Sequence, residues 1–586
     1  MEFLTASSPE GDFGNQLKSL RVLLWSICPI PVPSESKARA TSPFCSLILR
    51  VERIYLLHRT MNHSALGLLA VFALIARAAF SKFRVRDDVP RLPGPSSTIA
   101  SWIWGHELLV FQHAATQMYS IWARSFGGLF RIKAALFHPD IIVATDHAAV
   151  QHIFAKSDVY VKSPAFRPPI KNLLGEGLVW AEGQDWYHQR KMLSPAFSAD
   201  SIKEMTPAIH ECAERLETRL TNLLLLDISR SKNGTNLNIV QYISACTLDI
   251  IGIVGLSHSF AAQSARPGDM HSDAAQICAS WDSHVNTGLK PLAFLAPLVV
   301  RAIPAVARVP LPLMQSQGVV KTIVRRIGRK ILEREAQKED SDHAPAKDIL
   351  SILLRARRAG KDESLLSDEQ ILNNISTFTM VGHETTAGSL AFTLWELARN
   401  PAIQDRLREE ILSCGRDLSH DDIQKLEFLD AIVKEGLRLH PASPQTERIA
   451  LQDDIVPLSS SIAGIGDTFR LRKGQVIHIP FRTMNTNAEV WGPSADVFDP
   501  TRWLQARRDP ASLPHGWSGI LTFCDGPRNC LGWRLAVLEF KIILATLVRS
   551  IVFSETGVRV EAKISPTLQA VVHGKAGVLP LYLRLV

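Results

Sequence analysis

A ten-residue stretch near the carboxyl end, Phe523-Cys-Asp-Gly-Pro-Arg-Asn-Cys-Leu-Gly532, constrains this chain more than any other feature. Of its two cysteines, only Cys530 is preceded by Gly-x-Arg-x and followed by x-Gly. Glycines on both sides let the backbone turn tightly, approach a flat ligand and direct amide N–H groups at the sulfur. Phe523 can shield the sulfur, and Arg528 offers a forked cation that suits a carboxylate. The stretch predicts a cysteine presented to a ligand, whereas Cys524 is predicted to lie in the core.

This stretch resembles the cysteine-ligand loop of cytochromes P450, because it matches their pattern Phe-x-x-Gly-x-Arg-x-Cys-x-Gly at every defined position. Ligation of haem iron by a cysteine thiolate is the chemistry of that family. The resemblance covers the chain from about Pro93 to the end and implies a mainly α-helical fold with smaller β-sheets. It also implies haem b as the cofactor, Cys530 as the axial ligand of its iron, and Phe523 and Arg528 among the haem-binding residues.

A long helical pattern lies upstream of this loop. Ser367-Asp-Glu-Gln370 is a capping box, and the pattern then runs without interruption to about Arg399, where Asn-Pro stops it. In its middle, Val381-Gly-His-Glu-Thr-Thr386 sets a glycine near two β-branched threonines. These residues weaken a helix, and we expect its hydrogen-bond ladder to open here.

By resemblance, the middle of this helix supplies the catalytic residues. P450s carry a small residue, a glycine and then an acid followed by two threonines at this place, and the acid and the first threonine deliver protons during oxygen activation. Glu384 and Thr385 take those positions in this chain. Val381 replaces the small residue, which narrows the space predicted over the haem.

Two further patterns occur in the family's order. Glu435 and Arg438 are spaced i,i+3 on a predicted helix and can pair, although an isolated Glu-x-x-Arg is a weak signal because most such pairs are exposed. By resemblance Arg502, in Phe498-Asp-Pro-Thr-Arg-Trp503, joins them in a structural network that holds the Cys530 loop.

Cations that could bind the haem propionates come from two other places. Trp186-Tyr-His-Gln-Arg190 sets an indole N–H and a guanidinium one helical turn apart, and it matches the family's Trp-x-x-x-Arg. Arg448, which follows the Glu-x-x-Arg helix, is the third cation by resemblance. Trp186, Arg190 and Arg448 are therefore predicted to bind the cofactor.

The rest of the chain predicts a mixed first third and a helical remainder. Gly127–Ile132 and Asp140–Ala144 have the β-branched and aromatic bias of strands, and Asp146–Phe154 is typical of a short helix. From about Ser201 the pattern is almost wholly helical. The proline-rich, apolar stretch Arg266–Pro312 resembles the loop region that lines substrate access above the haem.

The amino-terminal part divides into two segments before the catalytic domain, residues 93–586. Residues 1–60 predict a poorly ordered leader, and we interpret it as a gene-model extension with Met61 as the natural start. Residues 61–92 predict a single membrane anchor and a basic linker, with a cleaved signal peptide as the alternative. The basic residues that follow the apolar run predict a catalytic domain in the cytosol, held at the endoplasmic-reticulum membrane.

Composition limits the partners. The net charge of +8 and an isoelectric point near 9.0 suit nucleic acid, an anionic membrane surface or an acidic protein. No nucleic-acid-binding motif is present in the sequence, so we expect the last two and no nucleic acid. The eight cysteines are scattered without any C-x-x-C spacing, which argues against a zinc or dithiol site.

The predicted activity is that of a haem-thiolate monooxygenase that inserts one oxygen atom from O₂ into an apolar small molecule, such as a terpenoid or other secondary metabolite. The sequence carries no flavin or nicotinamide fingerprint, so electrons are expected from NADPH–cytochrome P450 reductase, with cytochrome b5 as a second candidate donor. Two alternatives keep the fold. One is an isomerase or dehydratase that works without reductase, and the other is a non-catalytic haem-binding sensor, which would need neither Glu384 nor Thr385.

Overall fold

The structure, a computed structural model, describes residues 88–586 apart from 229–232, 266–271, 304–318, 338–347, 352–353, 355–365, 416–417 and 506–515. The predicted leader, residues 1–60, and nearly all of the predicted anchor and linker, residues 61–92, lie outside this range. The prediction of a mainly helical fold with smaller sheets is confirmed for the part that is described.

Helices dominate the described chain. Their bounds are α1 Glu107–Gln112, α2 Gln117–Phe126, α3 His147–Ala155, α4 Arg167–Leu174, α5 Gly183–Leu193, α6 Ala199–Glu204, α7 Thr206–Ile228, α8 Ile239–Leu256, α9 Asp273–Gly288, α10 Pro291–Ala302, α11 Val319–Ala336, α12 Asp368–Arg399, α13 Pro401–Ser413, α14 His420–Lys425, α15 Glu427–Leu439, α16 Phe481–Asn485, α17 Ala488–Trp491 and α18 Trp533–Ser550.

The strands form four small sheets. Their bounds are β1 Leu129–Ile132, β2 Ile141–Ala144, β3 Tyr160–Lys162, β4 Thr235–Asn238, β5 Thr446–Ala450, β6 Asp454–Ile462, β7 Gly466–Leu471, β8 Val476–Ile479, β9 Ile551–Glu555, β10 Glu561–Ile564, β11 Leu568–Val572, β12 Lys575–Ala576 and β13 Pro580–Leu585. The largest sheet has the order β1-β2-β8-β5-β3, in which only β2 and β8 run parallel. The two strands predicted in the first third are β1 and β2.

Helix α12 is the long helix that the sequence predicts. Ser367 and Gln370 form the capping box, and Asn400 follows the last turn. The predicted opening of its ladder is wrong for this structure, because the helix is continuous from Val381 to Thr386. The Thr385 hydroxyl donates to the Val381 carbonyl at 2.7 Å, and the helical conformation is kept.

Helix α8 packs directly against α12. A Cβ on Gly382 would lie 2.8 Å from Cγ1 of Ile251, so only glycine permits this approach. The Thr247 hydroxyl donates to the carbonyl of His383 at 3.0 Å across the same seam. Within the described range, α8 is the one helix long and apolar enough to span a membrane, and 72% of that window is buried inside the protein. Here it serves as a core helix.

The stretch that was expected to be a loop, Arg266–Pro312, is helical where it is described. It forms α9 and α10 on either side of a short connection. Pro291 occupies the first turn of α10, where a missing N–H costs nothing, and Pro297 lies within the same helix. The prolines of this stretch are therefore compatible with a helix, α10, which lines a cavity described below.

Candidate active site

Cys530 lies in the short turn between a 3₁₀ segment, Gly526–Arg528, and the start of α18. Its backbone N–H donates to the Phe523 carbonyl at 2.8 Å, which closes the loop, and the residue is exposed. Gly526 has a φ of 65°, and a Cβ there would lie 2.6 Å from the Phe154 carbonyl oxygen. The fold therefore requires glycine at this turn and presents the cysteine at its surface.

The surroundings of the Cys530 sulfur act on its ionisation in two directions. Burial by neighbouring protein raises the pKa of the thiol, and the Gly532 N–H and the nearby Arg190 guanidinium offset only part of that rise. Donors and positive charge that stabilise a thiolate are therefore in place around an accessible sulfur. Cys524, in contrast, packs against a hydrophobic cluster as predicted, and burial raises its pKa.

Phe523 belongs to an aromatic group beside this loop. Its ring meets Trp517 edge-on with 5.3 Å between ring centroids, and Trp517 also contacts Trp533 at 6.3 Å. The two tryptophans fix the position of Phe523. Sequence reasoning missed them, because Trp517 follows a stretch without a recognisable pattern.

Arg190 braces the cysteine loop. Its two terminal nitrogens donate to the carbonyl oxygen and the side-chain oxygen of Asn529, at 2.7 and 2.6 Å. Asn529 immediately precedes Cys530. The Arg190 guanidinium from α5 therefore holds the backbone next to the cysteine in place. Its predicted contact with a propionate remains a prediction.

Arg528 and Trp186 meet on the other side of the loop. The Arg528 guanidinium lies over the Trp186 ring at 4.1 Å from its centroid. It donates to the Ala181 carbonyl at 2.9 Å and forms an ion pair with Glu182. Lys162 binds the same carboxylate at 3.1 Å. The structure thus brings together two predicted residues with two, Lys162 and Glu182, that sequence reasoning missed.

Arg448 adds a third cation to Lys162 and Arg528. In the antiparallel pair of β3 and β5, Arg448 lies directly opposite Lys162, an arrangement of like charges that destabilises a sheet. Burial, together with Arg448 and Arg528, lowers the pKa of Lys162 to about 8 despite Glu182. This cation cluster, Lys162, Arg448 and Arg528, therefore has one carboxylate for three positive charges. It has the charge needed to receive an anionic ligand.

The predicted network of Glu435, Arg438 and Arg502 is assembled. Arg438 donates to both Glu435 oxygens at 2.8 Å, and Arg502 Nε donates to Glu435 Oε1 at 2.9 Å. The Trp503 indole adds a third donor at 2.9 Å. Arg438 also donates to the Asn485 and Ala495 carbonyls, at 2.9 and 2.5 Å. Both ionic side chains of the pair are fully buried, so this is not a surface pair.

The two predicted catalytic residues lie on different faces of α12. Between Ile371 and Leu394 every position is buried except Val381, Gly382, Thr385 and Gly388, which recur at helical spacing. This accessible face carries Thr385. Glu384 points elsewhere, into a buried site where Gln569 Nε2 donates to its carboxylate at 2.7 Å. Burial raises the pKa of Glu384 to about 7, although its hydrogen bonds act in the opposite sense.

A cavity of about 640 Å³ opens between α10, the five-stranded sheet and the last small strands. Its apolar wall includes Phe111, Phe166, Phe294, Leu298 and Ile564. Its lining also includes four buried polar side chains, Glu107, Arg301, Glu447 and His478. The volume is in the range of small-molecule sites.

Comparison with known proteins decides the family, since a family model described as cytochrome P450 matches residues 93–578. The chain belongs to the cytochrome P450 family. It is 28% identical over 507 residues to cytochrome P450 monooxygenase 205 of Postia placenta, covering 83% of this chain and 91% of the relative. It is 32% identical over 450 residues to cytochrome P450 monooxygenase claP of Ampulloclitocybe clavipes, covering 75% and 82%. These relatives are fungal, and the chain is a P450 monooxygenase by class.

Membership of the P450 family implies a haem-thiolate cofactor, and the residues present fit that group. Cys530 offers an accessible sulfur flanked by thiolate-stabilising groups. The cation cluster has an excess of positive charge that two propionates would balance. No group of three or more histidine, cysteine or acidic residues in the described chain is placed to hold a metal ion directly. A single sulfur beside a set of cations suits a metal carried by an anionic macrocycle.

Proposed function

We propose that this P450 is a reductase-dependent haem-thiolate monooxygenase that inserts one oxygen atom from O₂ into an apolar small molecule. The substrate class that we favour is a terpenoid or another secondary metabolite. The observation that supports the proposal is the presence of three features in one structure: an accessible Cys530, the cation cluster beside its loop, and an accessible face on α12 that bears Thr385.

In this proposal the cofactor is haem b, whose iron the Cys530 sulfur would bind. Arg448, Arg528 and Lys162 would hold the propionates, with Trp186 stacked on Arg528 and Arg190 holding the loop. When bound, the haem-thiolate group supplies the oxidising chemistry, because electron density from the thiolate favours cleavage of dioxygen. Glu435, Arg438 and Arg502 keep the backbone below the loop in place.

Glu384 and Thr385 serve proton delivery. A general acid works best when its pKa lies near the working pH, and the pKa of Glu384 is raised to about 7. Thr385 lies on the accessible face of α12. Its hydroxyl, which now donates to the Val381 carbonyl, can instead donate a hydrogen bond to a group in the space in front of that face. The acid stores a proton in the protein interior, and the hydroxyl presents it.

The cavity beside α10 supports an apolar substrate. Its wall includes aliphatic and aromatic side chains as well as polar and charged ones. Phe294 stacks on Phe111 at 4.4 Å between ring centroids, which forms a continuous apolar surface. Transfer of a hydrocarbon skeleton from water to apolar side chains of this kind lowers its free energy.

The proposed setting is the cytosolic face of the endoplasmic reticulum, with a single amino-terminal anchor and electrons from NADPH–cytochrome P450 reductase. Cytochrome b5 is a second candidate donor. The basic balance of the chain, with a net charge of +8, supports contact with an anionic membrane or an acidic partner. Protease protection of microsomes that carry a carboxyl-terminal tag tests the orientation: a tag digested without detergent supports it, and a protected tag contradicts it.

The deciding experiment incubates the haem-loaded protein with candidate terpenes, reductase, NADPH and isotopically heavy dioxygen. We expect products that have gained one heavy oxygen atom, formed only when reductase and NADPH are both present. A product that forms without reductase would instead support the isomerase or dehydratase alternative. Bound haem without turnover on any candidate would favour the sensor.

The double variant Glu384→Gln, Thr385→Ala tests the proton step. Haem and substrate binding should persist, whereas a positioned proton donor typically contributes roughly 10²–10⁴-fold. We expect NADPH oxidation to continue, with hydrogen peroxide rising as hydroxylated product falls. Unchanged coupling between NADPH use and product would remove these two residues from the mechanism.

A further inference from the structure

The carboxyl group of Glu384 is held by neutral donors. Gln569 Nε2 donates to Glu384 Oε1 at 2.7 Å, and the Thr567 hydroxyl donates to the same oxygen at 3.3 Å. Gln569 Nε2 also donates to the Thr567 hydroxyl at 2.8 Å, so both hydrogens of the amide are engaged. The indole N–H of Trp281 is a further donor. The three donors come from the β11 region and from α9.

The charges around this carboxyl are few. From α9, the Asp282 carboxylate and the Cys278 thiol interact with it electrostatically, and Asp282 raises its pKa. From α12 itself, His383 is adjacent, and burial lowers the pKa of that imidazole to about 4. No basic side chain is among the main influences on Glu384 in the described structure. A lysine or arginine in place of Gln569 would keep the carboxylate ionised.

The Gln569 amide therefore orients the Glu384 carboxyl without keeping it permanently ionised. A cation would lower the pKa of Glu384 toward or below its ordinary value, whereas burial against neutral donors leaves the pKa at about 7. Such a group can both accept and release a proton near neutral pH.

On the β11–α9 side of this carboxyl, neighbouring residues reach solvent. Thr567 is half-buried and follows the exposed Pro566, and Asp282 is exposed on α9. Glu384 itself is only 6% exposed. Thr385, the next residue along α12, lies on the accessible face of that helix. Glu384 thus lies between solvent at the β11–α9 seam and the space in front of Thr385.

We propose that Gln569 is a positioning residue for proton delivery, holding the Glu384 carboxyl at the Thr567 end of a proton path that begins at the β11–α9 seam. The Glu384 carboxylate takes one proton from hydronium in the solvent beside Thr567: one O–H bond of hydronium breaks and leaves water, and the O–H bond of the carboxylic acid forms. Breaking that bond releases one proton on the Thr385 side, so Glu384 returns to its starting state. This inference rests on the proposed function, because it assumes that Glu384 supplies protons.

The first test needs no turnover. Infrared difference spectra of the haem-loaded protein, recorded against pH, follow the carbonyl band of protonated Glu384, which Glu384→Gln should abolish. We expect a wild-type midpoint of about 7. Gln569→Leu removes a donor to the ionised form, so its midpoint should move to higher pH. Thr567→Val should move it in the same direction by less, and Thr567→Ser should restore it.

The second test uses turnover of the same proteins with reductase. Gln569→Leu should divert electrons from product to hydrogen peroxide at unchanged haem content, and it should enlarge the solvent deuterium isotope effect. Gln475→Leu is the matched control, since it removes a buried amide that donates to the Asp140 carbonyl at 2.8 Å. It should alter neither the infrared midpoint nor the coupling.

Several results would overturn the proposal. If the midpoint in Gln569→Leu equals that of wild type, the Gln569 amide does not affect the protonation of Glu384. If the midpoint moves but NADPH use stays fully coupled to product, the Glu384 carboxyl is not on the proton path. If Gln569→Leu fails to bind haem, Thr567→Val, at a half-buried position, decides in its place. Failure of the proposed function is distinguishable, because wild type would then give no oxygenated product while the infrared shift persists.

Discussion

Two cysteines that lie close together in the sequence, Cys524 and Cys530, have different environments in the fold. Cys530 projects from the turn before α18 and is exposed. Cys524 has a φ of 61°, in the left-handed region, and its side chain packs against the cluster that contains Phe154 and Leu521. The backbone, rather than the chemistry of the thiol, leaves Cys530 exposed and packs Cys524 against the core.

The variant Cys530→Ser should lose thiolate ligation, because a hydroxyl stays protonated where a thiol ionises. The measurement is the absorption of the reduced, carbon-monoxide-bound protein, which should lack the red-shifted band that gives the family its name. Cys524→Ser is the control and should keep the band. A band retained in Cys530→Ser and lost in Cys524→Ser would reverse the assignment.

Residues close together in sequence could be predicted, and residues joined only by the fold could not. Cys530, Arg528 and Phe523 share one loop, and Glu435 and Arg438 share one helical turn. Lys162 and Glu182 come from two separate segments and reach Arg528 only when the sheet and α5 are in place. Gln569 meets Glu384 from across the chain and carries no local signal.

At the scale of elements, the end of α15 is fixed to the segment that runs from α16 to Trp503. Arg438 spans this contact, because it pairs with Glu435 in its own helix and donates to the Asn485 and Ala495 carbonyls in the next segments. Asn485 in turn accepts from the Leu521 N–H at 2.9 Å, just before the cysteine loop. A side chain on one helix thereby determines where the loop begins.

Replacing Arg438 by alanine should yield protein that does not retain haem. Removing one partner of a buried pair typically costs about 3–5 kcal/mol, and here the buried Glu435 would keep Arg502 as its remaining cation. Haem content and urea unfolding measure the effect. Lys425→Ala is the comparison, since its pair with Asp422 is exposed and contributes about 0–1 kcal/mol. Equal stability of the two variants would contradict a structural role for Arg438.

Helices α12 and α18 meet through a buried acid, Glu539. Burial raises its pKa to about 8, while a hydrogen bond with Thr386 acts in the opposite direction. The native state therefore holds a proton that the unfolded chain has already lost above its ordinary pKa of about 4.3. Stability from this group is complete below that value and declines as pH rises toward 8.

The free energy of unfolding should accordingly fall between about pH 5 and about pH 8, and Glu539→Gln should flatten part of that fall. A remaining slope is expected from Glu384, whose pKa is also raised. Urea unfolding at several pH values measures both slopes. Glu555→Gln, at an exposed position, should leave the profile unchanged. Parallel curves for wild type and Glu539→Gln would mean that Glu539 is not protonated in the native state.

At the scale of the whole molecule, one buried polar network ties distant parts of the chain together. Arg301 at the end of α10 pairs with Glu107 in α1 and, at 3.2 Å, with Glu447 in β5. Glu447 also accepts from His478 in β8 at 2.8 Å. The sequence does not predict this network, because each of its residues comes from a different helix or strand.

Acidification should weaken this network. Burial opposes ionisation of Glu447, but His478 and Arg301 hold its pKa at about 2, below the ordinary value. Its contribution is therefore present above about pH 4.3 and is lost as pH falls toward 2. Glu447→Gln should be less stable near neutral pH by about 3–5 kcal/mol, yet lose less on acidification.

Urea unfolding at neutral and acid pH compares Glu447→Gln with wild type. The control is Glu561→Gln, whose partners Arg559 and Lys563 are at least partly exposed, and it should stay within about 0.5 kcal/mol. An equally steep acid transition in Glu447→Gln and wild type would exclude Glu447 as its source.

The cation cluster of Lys162, Arg448 and Arg528 also has a consequence for how the protein acquires its pigment. Because β3 and β5 set Lys162 opposite Arg448, and Glu182 is paired with Lys162 and Arg528, like-charge repulsion weakens the pairing of these strands. A porphyrin with free carboxylates relieves that repulsion, whereas its dimethyl ester, similar in shape, does not. If this cluster binds the cofactor as proposed, it should favour tetrapyrroles with free carboxylates over uncharged ones, and cofactor binding should stabilise the pairing of β3 with β5.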